Sequence, residues 1–422
     1  MNHGINLALI PEDKYSDYRY EVIFKAYKWD PQVEDQNTVS HYVALINRET
    51  AEQLETWAEQ LSQETISMEE KIVKNIADNI NNSLIKELNL PKEIYKSLKL
   101  MRDYDRKQNV RLMRFDFHPV TDSASETGWA VSEVNSDVPG GLAESSVLPE
   151  IAGKYLDGLK LNCRPGINTA NILHEAFRDK TKKDGTVAFV HATSYADDRQ
   201  VMQFLSDYFN NHGINTVFAA PDHIKWINKK AVSIIEGQTG DIDGIIRFFP
   251  LEWLAYLPKK STMKGYFDCE TISCNHPVSI FAQSKRLPLI WDKLGIEVPV
   301  WRKLLPETAD PKSIKNQNIK SNWIYKPVLG RVGEGISIKG AIPDKDFQKI
   351  EKEANKYPKF WVAQQMFKSQ PLPVKDADSS QSYHLCVGVF TIDGKRAGFY
   401  GRISPYPLID SKARDIPILI SD

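Results

Sequence analysis

A chain of 422 residues, 41% apolar and 26% charged, has the composition of an ordinary soluble globular protein and room for two or three domains. Its 54 lysines and arginines nearly cancel its 55 aspartates and glutamates, and the net charge of -1 argues against a chain-wide grip on nucleic acid or an anionic membrane. Apolar runs such as residues 5–11 fall far short of the roughly 18–20 residues that cross a bilayer. No Lys or Arg precedes that run as a signal peptide would require, and four cysteines make no disulfide framework, so a reduced cytoplasmic protein is expected.

In chain order, residues 49–107 read as helical. Thr50 with Gln53, and Ser67 with Glu70, have capping-box spacing, which marks two helix starts. Ile72, Ile76, Ile80, Leu84 and Leu88 recur at fours and predict one apolar stripe, and Pro91 opens a further helix with Ile94, Leu98 and Leu100. Residues 110–136 change period and predict two strands joined by a polar loop at 121–128, ended by Pro139, Gly140 and Gly141. Strand patterns at 186–191, 214–218 and 243–249, with a helical stretch at 197–212, predict a small parallel-sheet subdomain. Residues 279–294 read as a helix. Strands follow at 322–327, 335–338 and 360–365, and Asp393-Gly394 between apolar runs at 383–392 and 396–403 is a hairpin signal.

Two stretches could carry chemistry. Arg114 and Asp116 share one strand face, as do Glu133 and Asn135 on the next strand. Pairing in register would bring together two carboxylates, an amide oxygen and a guanidinium, a donor set that suits Mg²⁺. The same spacing also fits a solvated polar hairpin face. The second stretch is Lys326 on an apolar strand, followed by Gly330, Arg331, Gly333 and Gly335, where backbone amides and two cations could clamp phosphates. The P-loop pattern is absent and no dinucleotide fingerprint sits in position. Taken singly, Lys285 and Arg402 read as surface cations, and Gln364 and Gln365 as polar strand-end residues. No nucleophile triad is visible, and the nine histidines show no metal-ligand spacing.

Together these residues resemble the glutathionylspermidine synthase family. Arg114-Phe115-Asp116, then Glu133, Asn135, Asp137, Pro139 and Glu144, look like its first signature. Phe249-Pro250 with Glu252-Trp253 resembles its aromatic-Pro-x-Glu-Trp motif. The segment 275–291 around Lys285, the Lys326-Pro327 to Gly333 loop and the Gly394 to Arg402 strand follow in the family's order. The resemblance implies a mixed α+β and α/β ATP-grasp fold in three parts. Residues 1–160 would form an N-terminal helical region plus the metal-binding hairpin, 161–275 an inserted α/β substrate-side subdomain, and 276–422 the nucleotide-binding part.

It implies an ATP- and Mg²⁺-dependent ligase that joins a carboxylate, on a peptide or amino acid, to an amine. Asp116, Glu133 and Asn135 would ligate the metal; Lys285, Lys326, Gly333 and Gln364 or Gln365 would contact ATP. Arg114, Arg331 and Arg402 would face the reacting groups, and the glycine-rich turn at 330–335 would act as a lid. The family's amidase half, with its nucleophilic cysteine, is not expected, because the first cysteine is Cys163. Gly140 and Gly141 replace two Thr or Ser positions, and Asp197 and Asp198 stand where acidic residues hold the polyamine. No general base for the amine stands out. A small-molecule kinase on the same scaffold and a nucleotide-binding module without turnover remain alternatives.

Overall fold

Met113, Phe115 and Phe117 alternate with Arg114, Asp116 and His118 along strand Leu112–Pro119, so one strand presents an apolar and a polar face. The structure, a computed structural model, describes residues 3–28, 32–33, 36–80, 82–121, 125–156, 161–257, 262–314, 323–330, 342–374 and 381–422. This strand lies within an antiparallel sheet ordered Arg414–Ile416, Lys395–Ser404, Ser382–Ile392, Leu112–Pro119 and Trp129–Asn135, with Pro371–Pro373 beside Ser382–Ile392. The expected hairpin is present. Asp393 and Gly394 at its tip have φ of 50° and 84°, the sign that a two-residue I′ turn requires.

The sheet's apolar face packs on helix Arg48–Ala77, where Phe117 stacks on Trp57 with centroids 6.5 Å apart. That helix starts before the expected position. Its N-cap is Asn47, which accepts the Thr50 amide at 2.9 Å, while the Thr50 hydroxyl donates to the His3 carbonyl at 2.8 Å. Ser67 lies inside the same helix and starts nothing. Ile72 and Ile76 are buried as expected, but the helix stops at Ala77. Asn79 takes φ 55°, Ile80 is exposed, and Leu84 belongs to a separate short helix, Asn82–Lys86. Asparagine tolerates the left-handed region, so the spacing of four does not carry one helix through it.

The parallel subdomain is as expected. Strands Ile272–Cys274, Gly244–Arg247, Thr186–Val190 and Asn215–Ala219 are parallel neighbours in that order. Helices Thr169–Arg178 and Ala196–Asn211 close over it through Phe177 and Phe209, whose rings lie 5.8 Å apart. Residues 279–294, in contrast, do not make one helix. They break into Ile280–Gln283, Leu287–Ile290 and Trp291–Leu294. Ser284 is extended and Pro288 has no amide to continue a helix, so Lys285 lies in the turn between two short helices and its amide bonds the Val328 carbonyl at 3.0 Å.

A smaller antiparallel sheet, Thr308–Ala309, Trp361–Gln365 and Trp323–Pro327, packs under helix Asp344–Lys356 around Trp323, Tyr325, Phe347 and Trp361. The strand expected at 335–338 lies outside the described residues. One sheet had no signal in the sequence. It joins Ile5–Leu9 to Tyr42–Asn47, then to Ile418–Ser421 and Cys163–Pro165, so that the first and last strands flank Tyr42–Asn47 in one sheet. No helix of the described residues is long and apolar enough to cross a membrane.

Candidate active site

The polar face of the antiparallel sheet forms the wall of a cavity of about 800 Å³. The strands pair in the register the spacing anticipated, Arg114 opposite Asn135 and Asp116 opposite Glu133. A bulge follows at Ser132, so beyond it Phe117 pairs with Val131 and the apolar face stays inward. Arg114, Asp116, Glu133, Asn135, Lys326 and Arg402 all line this cavity.

The Arg114 guanidinium donates Nε and Nη2 to the Asp116 carboxylate at 2.7 and 2.9 Å and Nη1 to the Gly140 carbonyl at 2.6 Å. It lies 4.8 Å from the centre of the Tyr400 ring. The glycine across the sheet is required here, since a Cβ on Gly388 would come within 2.7 Å of Arg114 Cδ. Gly141 has the same relation to Tyr400: its φ is +88° and a Cβ would meet the ring at 2.7 Å. Asn135 Nδ2 donates to Asp116 Oδ2 at 2.9 Å. Glu133 pairs with Lys285 at 3.1 Å. Burial would raise the Glu133 carboxyl, but Lys285 and Lys326 outweigh it and hold it below the usual range.

Two carboxylates and an amide are hard oxygen donors of the kind that suit Mg²⁺. Among the described residues no group of three or more His, Cys, Asp or Glu side chains is placed to hold a metal, and both Asp116 oxygens already accept from Arg114 and Asn135.

Lys326 projects from the smaller sheet on the face opposite Tyr325. Its ammonium is buried and donates to the Ser132 carbonyl at 3.0 Å and Gln364 Oε1 at 2.7 Å. Burial and, to a lesser degree, the neighbouring Lys285 pull its pKa down to about 8 against the opposing effect of Glu133. Lys285 Nζ donates to the Gly330 carbonyl at 2.7 Å, and Lys285, Lys326, Glu133 and Gln364 share a second, much smaller cavity of about 40 Å³. Gln365 is not brought into the cluster: it is exposed and donates to Glu307 at 2.9 Å. Arg402 is held by the Asp410 and Ala413 carbonyls. Arg331 and Gly333 lie outside the described residues.

Lys28, Tyr400 and Asp415 also line the cavity, and sequence reasoning missed all three; Asp197, Asp198 and Glu144 line it as well. No local pattern marks Lys28 or Asp415, because what joins them spans nearly the whole chain. His118 was missed too. Its Nε2 is 3.1 Å from the Ser132 hydroxyl, and burial pushes its pKa down to about 3. His276, buried near Tyr104, is likewise pushed to about 3. A histidine depressed in the folded state costs no stability at neutral pH. Its cost appears as the pH falls below about 6.5, where only the unfolded chain takes up the proton, and it grows until the folded pKa is reached. Urea denaturation at descending pH should therefore show a steeper loss in wild type than in His118→Gln. Parallel curves would mean that His118 charges freely in the folded state.

The sequence model of the family described as glutathionylspermidine synthase preATP-grasp matches residues 12–421. No curated protein is significantly similar in sequence. Among solved structures, a glutathione synthetase-like effector from Globodera pallida superposes with a TM-score of 0.63 at 10% identity, covering 97% of this chain and 98% of its own. A putative gamma-glutamylcysteine synthetase from Methylobacillus flagellatus gives 0.42 at 11% identity, over 80% and 86% of the two chains. The family match and the likeness to the effector bear out the mixed α+β and α/β architecture of ATP-grasp type.

Proposed function

The chain belongs to the glutathionylspermidine synthase preATP-grasp family, and from that membership we propose that it is an ATP- and Mg²⁺-dependent ligase joining a peptide or amino-acid carboxylate to an amine. The observation that carries this reading is the convergence of Arg114, Asp116, Glu133, Asn135, Lys326 and Arg402 on one cavity of about 800 Å³.

A carboxylate resists attack by an amine. Transfer of the ATP γ-phosphoryl group to it releases ADP and gives an acyl phosphate, from which the amine displaces phosphate and leaves an amide. Asp116, Glu133 and Asn135 would hold Mg²⁺, which offsets phosphate charge when bound. Lys285 and Lys326 bind and orient phosphates, with Gln364 bracing Lys326. Arg114, fixed by Asp116 and Gly140, supplies positive charge that needs no rearrangement during reaction, and Arg402, held by the Asp410 and Ala413 carbonyls, acts in the same sense, while the family resemblance assigns Arg331 to the reacting phosphates. The test is a phosphate-release screen of amines against small peptides and amino acids, with product analysis. ADP, phosphate and an amide in equal amounts support the ligase. Phosphate retained on the substrate makes the protein a kinase, and absence of turnover with bound ATP makes it a binding module.

The depressed pKa of Lys326 has a direct consequence for nucleotide binding. Phosphates favour its charged form, so ATP affinity should be flat below about pH 8 and weaken as the pH rises through that value. Calorimetry half a unit above it, in buffers of different ionisation enthalpy, should show proton uptake on ATP binding. Lys326→Met should lose that uptake and weaken binding by about 1.5–3 kcal/mol, the contribution of a charge-assisted hydrogen bond. Equal affinity in the variant would remove Lys326 from the phosphate site.

A further inference from the structure

At one end of the cavity, the Lys28 ammonium is clasped by two carboxylates from distant parts of the chain. Nζ donates to Glu144 Oε1 at 2.5 Å and to Asp415 Oδ2 at 2.7 Å. Glu144 and Asp415 are only 8% and 7% exposed. The Tyr400 hydroxyl donates to the other Asp415 oxygen at 2.7 Å. Burial alone would favour neutral Lys28, but Asp415 and Glu144 outweigh it and keep the ammonium charged. Burial would likewise raise the Asp415 carboxyl, yet Lys28 and Arg402 hold it low.

The backbone is bent to deliver this lysine. The chain leaves helix Glu12–Lys25 through Tyr27 at φ 56°, a conformation that costs free energy for a bulky residue and persists only where surroundings enforce it. The Tyr27 side chain is anchored by its hydroxyl, which donates to Asp207 on helix Ala196–Asn211. Glu144 Oε2 is buried and has no hydrogen-bond partner among the described residues, so the pocket holds more acceptor capacity than Lys28 uses.

Two buried carboxylates on a cavity wall are stable as anions only with a cation between them, and an ammonium group answers that need. Here the chain supplies it. We infer that Lys28 is a specificity-determining residue: as an internal ligand it fills the cation pocket of Glu144 and Asp415, and so excludes the second ammonium group of a polycationic amine from that end of the cavity. The inference deepens the ligase reading, on which it rests for the amine as co-substrate. Its test uses no ATP, so its failure and the failure of ligation are separate results.

Binding of cadaverine to the full chain is measured by calorimetry in wild type, Lys28→Ala, Lys28→Arg and the double variant Lys28→Ala with Glu144→Gln. Lys28→Ala should bind cadaverine at least about tenfold tighter than wild type, Lys28→Arg should show no gain, and the double variant should lose it. Equal cadaverine affinity in wild type and Lys28→Ala, or a gain that survives Glu144→Gln, overturns the assignment. If Lys28→Ala is too unstable for calorimetry, n-butylamine, which restores an alkylammonium to the vacated space, should raise its melting temperature well above any effect on wild type. Failure of that rescue also overturns the assignment.

Discussion

Asp137→Ala should lose about 3–5 kcal/mol of folding stability, the cost of leaving one buried charge without its partner. Asp137 and Arg247 are almost wholly buried. Asp137 Oδ1 accepts from Arg247 Nη2 and, at 2.9 Å, from the Ser279 hydroxyl; Oδ2 accepts the Leu251 amide at 2.9 Å. Arg247 also reaches the Phe249 carbonyl at 2.7 Å and the Asn275 carbonyl at 3.0 Å. The pair thus ties the end of a parallel-sheet strand to the segment leaving strand Trp129–Asn135, two residues past the proposed metal ligand Asn135. Domains of this kind have only about 5–15 kcal/mol in total, so the variant should be marginal. Urea denaturation followed by circular dichroism measures the loss. Adding Arg247→Leu should recover part of it, because the orphaned charge is then gone. A loss below about 1 kcal/mol would show that water or rearrangement satisfies Arg247.

The second large effect is expected on turnover. Glu133→Gln should lower ATP-dependent phosphate release by about 10²–10³-fold, on the scale of removing one preorganised electrostatic contact from a transition state. The change keeps volume and removes one charge. It leaves Lys285 and Lys326 side by side without the carboxylate that offsets them, so Lys326 should titrate lower still. The fold should survive, since Glu133 is only partly buried and its partner Lys285 keeps the Gly330 carbonyl. Asp116→Ala is a less clean probe because it also releases Arg114. Steady-state rates across a Mg²⁺ titration, with a urea midpoint as control, decide the matter. Wild-type turnover at saturating Mg²⁺ would remove Glu133 from the metal site.

The resemblance motifs divide by role once their surroundings are known. Arg114, Asp116, Glu133 and Asn135 line the cavity, whereas the Phe249 to Trp253 motif wraps the buried Asp137 and Arg247 pair through the Phe249 carbonyl and Leu251 amide. Asn275 is structural as well. Its amide nitrogen donates to the Leu112, Ser136 and Asp137 carbonyls at 2.8, 3.1 and 3.0 Å, pinning the two strands that carry the polar face. Spacing could not separate these roles, because a buried brace and a cavity wall both require polar residues at regular positions.

Local chemistry wrote the parts that short-range contacts decide. Alternation at 112–119 set which side chains face the cavity, Asp393-Gly394 set the hairpin, and apolar strands between helices set the parallel sheet. Caps and breaks were misread where the competing partner was remote: Thr50 turns to His3, and residues 279–294 break at Ser284, whose hydroxyl donates to the Leu88 carbonyl at 2.8 Å. The meeting of Ile418–Ser421 with Tyr42–Asn47, and of Lys28 with Asp415, needed the assembled tertiary structure. Such contacts leave no periodic trace, because each partner's sequence neighbours are unconstrained by a residue hundreds of positions away. Burial makes them strong only after the sheets have come together and excluded water from between them.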